Sequence, residues 1–283
     1  MRVFHEIRKA AADDPHGVTT IRTDSLSFMA HWHHDLELIL VRAGEIPVSI
    51  DGQTYRMRAG DLAIVGGGDI HSYEGGTGGC DMHVVIVPPG LLGQGHWPIG
   101  FRFPTPFFTE HEDAGTAATR MPAEVMSALR AQLMAIVAEA QIRDIAHDDM
   151  LRGHIRLFCG MAARLLPTAS ATEAGERKRL EQVMRVQTAL EWLETHYRSD
   201  VTLADLARRM NMSYHHLSRL FGETVGTSFR QHLNRLRVNE ADRLLAGSTL
   251  SITDIALHCG FNSLRTFNRA YQALRGQTPS STR

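Results

Sequence analysis

The stretch VTLADLARRMNMSYHHLSRLF, residues 201–221, decides how the C-terminal part of the chain is read. Thr202 and Asp205 have the spacing of a helix opening, a hydroxyl at the cap and an acid three residues on, with Asp where Glu is usual. Leu203, Leu206, Ala207 and Met210 follow at i, i+3, i+4 and i+7, the apolar stripe of an amphipathic helix. Asn211 and Met212 form a short turn, and Ser213 is placed to cap a second helix whose inner face carries Leu217, Leu220 and Phe221. The outward face of that helix is Tyr214, His215, His216, Ser218 and Arg219, side chains able to hydrogen-bond or stack. The pattern predicts a helix-turn-helix.

The phrase recurs at 251–271 as SITDIALHCGFNSLRTFNRAY. Ser251 and Asp254 repeat the cap, Ile252, Ile255, Ala256 and Cys259 repeat the inner face, and Gly260 takes the turn. The following helix presents Leu264, Arg265, Asn268 and Arg269 outward and turns Phe267 and Tyr271 inward. One such pair of helices occurs in many all-α cores; two in tandem are far more specific.

Together, LADLARRMNMSYHHLSRLF, GTSFRQHLNRLRVNEADRLL and ITDIALHCGFNSLRTFNRAYQALRGQTPSSTR resemble the DNA-binding domain of AraC/XylS-type transcription regulators, over residues 183–283. The resemblance implies a long helix, about Phe229 to Leu245, that holds two similar units about 34 Å apart for successive major-groove entries. It implies DNA contacts from Tyr214, His215, Ser218 and Arg219 in the first unit. From the second it implies Leu264, Arg265, Thr266, Asn268 and Arg269. Two departures stand out. The family's terminal P-x-x-Y-R is here Pro279 with Thr282 and Arg283, and Ser228 stands where proline commonly follows the first unit's glycine, Gly226.

Charge agrees with a nucleic-acid partner for this part of the chain. Residues 1–182 hold 17 Lys+Arg against 23 Asp+Glu, a balance of −6, whereas residues 183–283 hold 13 against 8, a balance of +5. The total of 283 residues has room for two domains, and 43% hydrophobic with 22% charged residues is ordinary for a soluble protein. No apolar run approaches the roughly 20 residues that cross a bilayer, so no membrane partner is expected. The opening MRVFHEIRKAAADDP lacks the apolar core of a secretory signal, and a cytoplasmic location is expected. Cys80, Cys159 and Cys259 are odd in number, far apart and form no C-x-x-C pair, which argues against a disulfide framework and a thiolate metal site.

Upstream, PTASATEAGERKRLEQ, residues 167–182, is small and polar without apolar period, and is expected to be a linker. Residues 121–166 have helical spacing in two segments, the first with a stripe of Val125, Leu129, Leu133, Ile136 and Val137. From about residue 18 to 90 the chain consists of short apolar runs closed by Gly and Asp, the signature of many antiparallel strands. Asp51-Gly52 between Ile50 and Gln53 predicts a two-residue hairpin loop.

Within that β-region lies HWHHDLELILVRAG, residues 31–44. On one strand, His31, His33 and Glu37 would project from the same face. The segment fits H-x-H-x3-E-x6-G, and GDLAIVGGGDIH supplies Gly60, Gly68 and His71. These resemble the two cupin motifs, with Gly66 in place of proline and Gly75 in place of asparagine. The resemblance implies a small β-barrel whose mouth holds a ligand. In metal-binding members the positions of His31, His33, Glu37 and His71 ligate a divalent ion such as Zn, Mn, Fe or Ni. In regulators of this architecture the mouth commonly takes a small effector such as a sugar, with Trp32 or Tyr73 adding packing surface; His83 is a further candidate on the next strand.

The expected fold is therefore α+β. Residues 1–166 form a cupin-like barrel with flanking helices for effector binding and dimerisation, 167–182 a linker, and 183–283 an all-α domain of two tandem helix-turn-helix units. The expected function is sequence-specific binding of double-stranded DNA by a homodimer, under control of a small molecule and not by catalysis. RNA polymerase is a further partner if the protein activates. Two alternatives stay open: a metal-dependent cupin enzyme fused to a DNA-binding domain, and a barrel that only dimerises.

Overall fold

The computed structural model describes residues 19–23, 28–74, 80–92, 103, 105–142, 144–168 and 173–282. The N-terminal 18 residues with the expected absence of a signal, part of the first expected strand, and Gly75 and Arg283 in the motifs above lie outside the described residues. The chain divides into two units, Met1–Leu180 and Glu181–Arg283.

The first unit is built on LELILVRAGEIPVSI, which forms one strand, β3 (Leu36–Ile50), and not the two separate strands that Gly44 suggests. Gly44 has a φ of +75° inside the strand, and the register with the neighbouring strand shifts between Val41 and Ala43. A bulge of this kind bends a strand without ending it. The N-terminal half of β3 pairs antiparallel with β5 (Leu62–Val65) and β7 (Cys80–Val87), and β7 in turn with β1 (Thr19–Thr23). The C-terminal half pairs with β4 (Gln53–Arg58) and β6 (His71–Tyr73), and β6 with β2 (Phe28–His31). Short β8 (Phe107–Thr109) extends the first sheet from β5 and pairs parallel with β9 (Thr119–Arg120). The β3–β4 hairpin closes through Asp51 and Gly52, both at positive φ, as the Asp-Gly pair requires.

Because β3 is buried on both faces, its period of two separates two cores. Leu36, Leu38 and Leu40 pack with Val85, Val87 and two helices, α2 (Ala123–Gln141) and α3 (His147–Leu165), which follow a short α1 (Pro89–Leu92). Ile39 and Val41 face the other way, among Val48, Ile50, Met57, Val65, Tyr73, Val84 and Ile86 in the barrel interior. The buried stripe of α2 is Met126, Leu129, Leu133, Ile136 and Val137. Met126, not Val125, opens it, since the half-buried Val125 lies at the edge of the stripe.

Residues 167–182 are helical from Glu173, where α4 (Glu173–His196) begins; residues 169–172 lie outside the described residues. In the second unit α5 (Leu203–Arg209) starts in a reciprocal capping box between Thr202 and Asp205, so the shorter Asp side chain reaches far enough. It is followed by α6 (Tyr214–Val225), α7 (Phe229–Gly247), α8 (Ile252–His258), α9 (Leu264–Arg275) and a 3-10 turn at Pro279–Ser281. Ser228, at the position where the family prefers proline, caps α7 in a second reciprocal box with Gln231. Thr282, in place of the family's tyrosine, accepts a hydrogen bond from the Tyr271 hydroxyl at 3.1 Å.

Buried Arg237 on α7 donates from Nε to the Tyr197 carbonyl at 2.7 Å and from Nη2 to that of Ser199 at 2.9 Å. It thereby bonds the Tyr197 carbonyl just beyond the end of α4 and adds a second donor to that of Ser199, which also accepts from the Val201 N–H at 3.0 Å. Val238, Ala241 and Leu245 of α7 pack with Ile255, Phe261, Phe267 and Tyr271 of the second helix-turn-helix. Among the described residues no helix is long and apolar enough to cross a membrane.

Candidate effector pocket and nucleic-acid interface

His31, His33 and Glu37 do not share a strand, contrary to the reading of HWHHDLEL as one run. His31 ends β2, His33 lies in the connection, and Glu37 is the second residue of β3. The chain breaks there because β2 pairs with β6 in one sheet while the start of β3 pairs with β5 and β7 in the other. The three side chains nevertheless converge. Glu37 has the same parity as Ile39 and Val41 and so faces the barrel interior. His71 lies opposite both His31 and Ile50, which places it on the interior face as well.

All four groups are buried, with His31 6%, His33 8%, Glu37 2% and His71 1% exposed. One ligand nitrogen from each of His31, His33 and His71 lies within 4.8 Å of those from the other two. The imidazoles are held by the backbone: Nδ1 bonds the carbonyl of Met29 at 2.9 Å from His31, of Asp35 at 3.2 Å from His33, and of Asp69 at 3.0 Å from His71. A carbonyl only accepts, so Nδ1 is the protonated nitrogen in each ring and Nε2 keeps its lone pair in the neutral form. Nε2 of His33 lies 3.1 Å from Glu37 Oε2, and Nε2 of His71 lies 3.6 Å from the same oxygen with no hydrogen-bond partner of its own. Lone pairs and a carboxylate facing one another are reconciled by a proton or another cation between them.

The electrostatics follow from burial. Burial, with His71 adding to it, holds the His31 imidazole well below its usual value. Burial would raise the Glu37 carboxyl, but His71 and His33 outweigh it and hold it well below the carboxylate range. Burial opposes charge on His71 too, yet the Glu37 carboxylate prevails and raises it. The other Glu37 oxygen accepts a short hydrogen bond from Tyr73, whose phenol is pushed well above its usual value by burial and by that carboxylate. Tyr73 therefore belongs to the polar cluster and does more than add packing surface. The signal for it was the two-residue step from His71 along one strand.

His83 does not join them. It lies opposite Leu40 on β7, on the face that Val85 and Val87 turn toward the helices. Trp32 is half-buried with its ring edge-on to His34 at 5.1 Å.

In the second unit the sequence-predicted outward residues are on the surface. Tyr214, His215, Ser218 and Arg219 are exposed on α6, and Leu264, Arg265, Asn268 and Arg269 on α9, while Leu217, Leu220, Phe221, Phe267 and Tyr271 are buried. His216 and Thr266 are half-buried, and the Thr266 hydroxyl lies 2.9 Å from that of Ser263 at the α9 cap. Each helix starts at a serine cap, Ser213 or Ser263, and ends at a glycine at positive φ, Gly226 or Gly276.

Comparison with known proteins agrees with both halves. Residues 17–153 match the AraC-like ligand binding domain family, and residues 206–283 match a helix-turn-helix domain family. The chain is 27% identical over 268 residues to the HTH-type transcriptional activator RhaS of Pectobacterium carotovorum subsp. carotovorum, an alignment that covers 93% of this chain and 90% of that one. It is 24% identical to RhaS of Escherichia coli O157:H7 over 290 residues, covering 100% and 97%. Among solved structures, the C-terminal domain of AraT, a response regulator from Geobacillus stearothermophilus, is 30% identical over 35% of this chain and 83% of that one, with a TM-score of 0.34. The match to an AraC-like ligand binding domain, the match to a helix-turn-helix domain that follows it and the RhaS relatives spanning nearly the whole chain place it in the AraC family of DNA-binding transcription regulators.

Proposed function

We propose that the barrel is the sensor of this regulator and that its effector is a small polar molecule, of the kind represented by sugars, bound at His31, His33, Glu37 and His71. The observation that carries this is the polar cluster itself. Three imidazoles and a carboxylate are buried beside a barrel interior that is otherwise aliphatic and aromatic. Burying such groups costs free energy unless something pairs with them, so a ligand that does so gives them a purpose. Tyr214, His215, Ser218 and Arg219, with Leu264, Arg265, Thr266, Asn268 and Arg269, are the proposed DNA contacts.

A divalent cation is the second reading, and the imidazole geometry favours it. Metal-bound histidines typically donate their other nitrogen to a carbonyl or carboxylate, as Nδ1 does here in all three rings. The unpartnered His71 Nε2 fits the same reading. His31, His33, His71 and Glu37 would hold the ion, which would supply a Lewis-acidic centre for an oxygen-bearing effector.

The relatives are named as activators, and the same role is proposed here, with RNA polymerase as partner and the cytoplasm as location. A homodimer is proposed through α3, whose exposed Met150, Leu157 and Leu165 are 50%, 54% and 39% accessible.

The test is binding of a labelled operator with and without candidate effectors. His33→Ala and His71→Ala should lose the effector response and keep effector-free DNA binding. Metal analysis should find about one ion per chain if the second reading holds. A metal-free protein that still responds removes the cation and keeps the sensor; a response intact in both variants removes the pocket.

A further inference from the structure

The two recognition helices can be compared position by position. Both α6 and α9 are 12 residues long and lie between a serine cap and a left-handed glycine, so counting from the cap pairs their residues without a gap. The pairs on the outward face are Tyr214 with Leu264, His215 with Arg265, Ser218 with Asn268, Arg219 with Arg269 and Glu223 with Ala273, and all ten are exposed. The folds match, but the chemistry does not.

On α9, Arg265 and Arg269 carry no ion pair among the described residues, and Asn268 lies between them. Arginine reaches both O6 and N7 of guanine, and asparagine both N6 and N7 of adenine, which makes these the side chains with the sharpest base discrimination. Four residues of helix rise about 6 Å, close to two base-pair steps, so the two guanidinium groups reach neighbouring base pairs in one groove. On α6 the same positions hold His215 and Ser218, which make single, less selective hydrogen bonds. Arg219 has Glu223 one turn away at 4.0 Å, where α9 has Ala273. That exposed pair is weak, but Glu223 puts a negative charge on a face meant for phosphate.

We propose that the two units read DNA unequally: the second unit selects the operator's base sequence through Arg265, Asn268 and Arg269, and the first unit chiefly anchors the protein to the backbone. The operator half-site under α9 then carries two guanines within about two base-pair steps of one another and an adjacent adenine. The half-site one turn away under α6 tolerates substitution. This rests on both units contacting DNA.

The test uses the full chain and a randomised duplex long enough for two half-sites, followed by competition binding of variants. One strongly fixed half-site with two guanines and one weakly fixed half-site are expected. Arg265→Ala and Arg269→Ala should each lower operator affinity roughly 5- to 100-fold and relax one guanine, with less effect on random DNA. Arg265→Lys keeps the charge and loses the fork, so it should retain binding to random DNA while losing the guanine preference. His215→Ala should weaken operator and random DNA by similar factors and leave the consensus unaltered, as loss of a backbone contact does. Equal fixation of the two half-sites, or arginine variants that weaken operator and random DNA alike, would overturn the asymmetry. Selection of no sequence by the parent protein would overturn DNA reading itself, and the proposal with it.

Discussion

Gly260 occupies a place that no other residue fits. It sits at a φ of +89°, and a Cβ there would lie 2.7 Å from both the Tyr197 and Arg198 carbonyl oxygens. The contact is with rigid backbone, so Gly260→Ala is expected to destabilise the second unit by about 1–3 kcal/mol or more in urea unfolding. His232 on α7 makes a different residue-scale prediction. Burial lowers its pKa to about 3, with the Arg235 charge adding to the effect. Between that value and an unfolded value near 6.5, the unfolded chain binds the extra proton, so stability is full above about pH 6.5 and falls as the pH drops. Thermal unfolding from pH 7.5 to 5 should shift less in His232→Gln than in the parent; equal slopes would show that the imidazole does not carry the effect.

At the level of elements, regularity decides what the sequence makes legible. The paired helices α5/α6 and α8/α9 follow from cap spacing and apolar period alone, and Thr202, Ser213, Ser251 and Ser263 all accept the capping hydrogen bond expected of them. Thr202→Ala should therefore cost about 1 kcal/mol. Elements whose signal is not a period escape such reading. The segment from Glu173 is helical although it has no stripe, because Glu, Ala, Arg, Lys and Leu favour helix by backbone propensity alone. Gly44 looks like a turn and instead continues β3, paired with Cys80 just past the bulge between Val41 and Ala43. The pocket was legible as residue types, since the spacing of His31, His33 and Glu37 brings them together. The break that places them on two strands depends on which sheet each half pairs with, and no local pattern carries that. On α3 the stripe leaves Met150, Leu157 and Leu165 outside the core. Leu157→Glu is expected to shift the oligomer toward monomer in sedimentation at micromolar concentration; a parent protein that is already monomeric would remove the dimer.

For the whole molecule, the charge division and the division into units coincide. Residues 183–283 carry a balance of +5 and the remainder −6, and the second unit begins at Glu181. Its buried apolar residues run from Val186 and Leu193 of α4 through Leu206, Leu217 and Phe221 to Val238 and Tyr271, and Pro279 is buried in the C-terminal 3-10 turn. A fragment of residues 181–283 should accordingly fold alone and bind DNA, with log affinity falling linearly against log salt as phosphate counterions are released. It should bind more weakly than the full chain, because a monomeric fragment lacks the effective concentration that a paired partner provides. It should also ignore every effector, since His31, His33, Glu37 and His71 all lie in the first unit. A folded fragment whose DNA affinity is insensitive to salt would contradict a phosphate-anchored interface. One that still responds to effector would contradict the separation of sensing from reading.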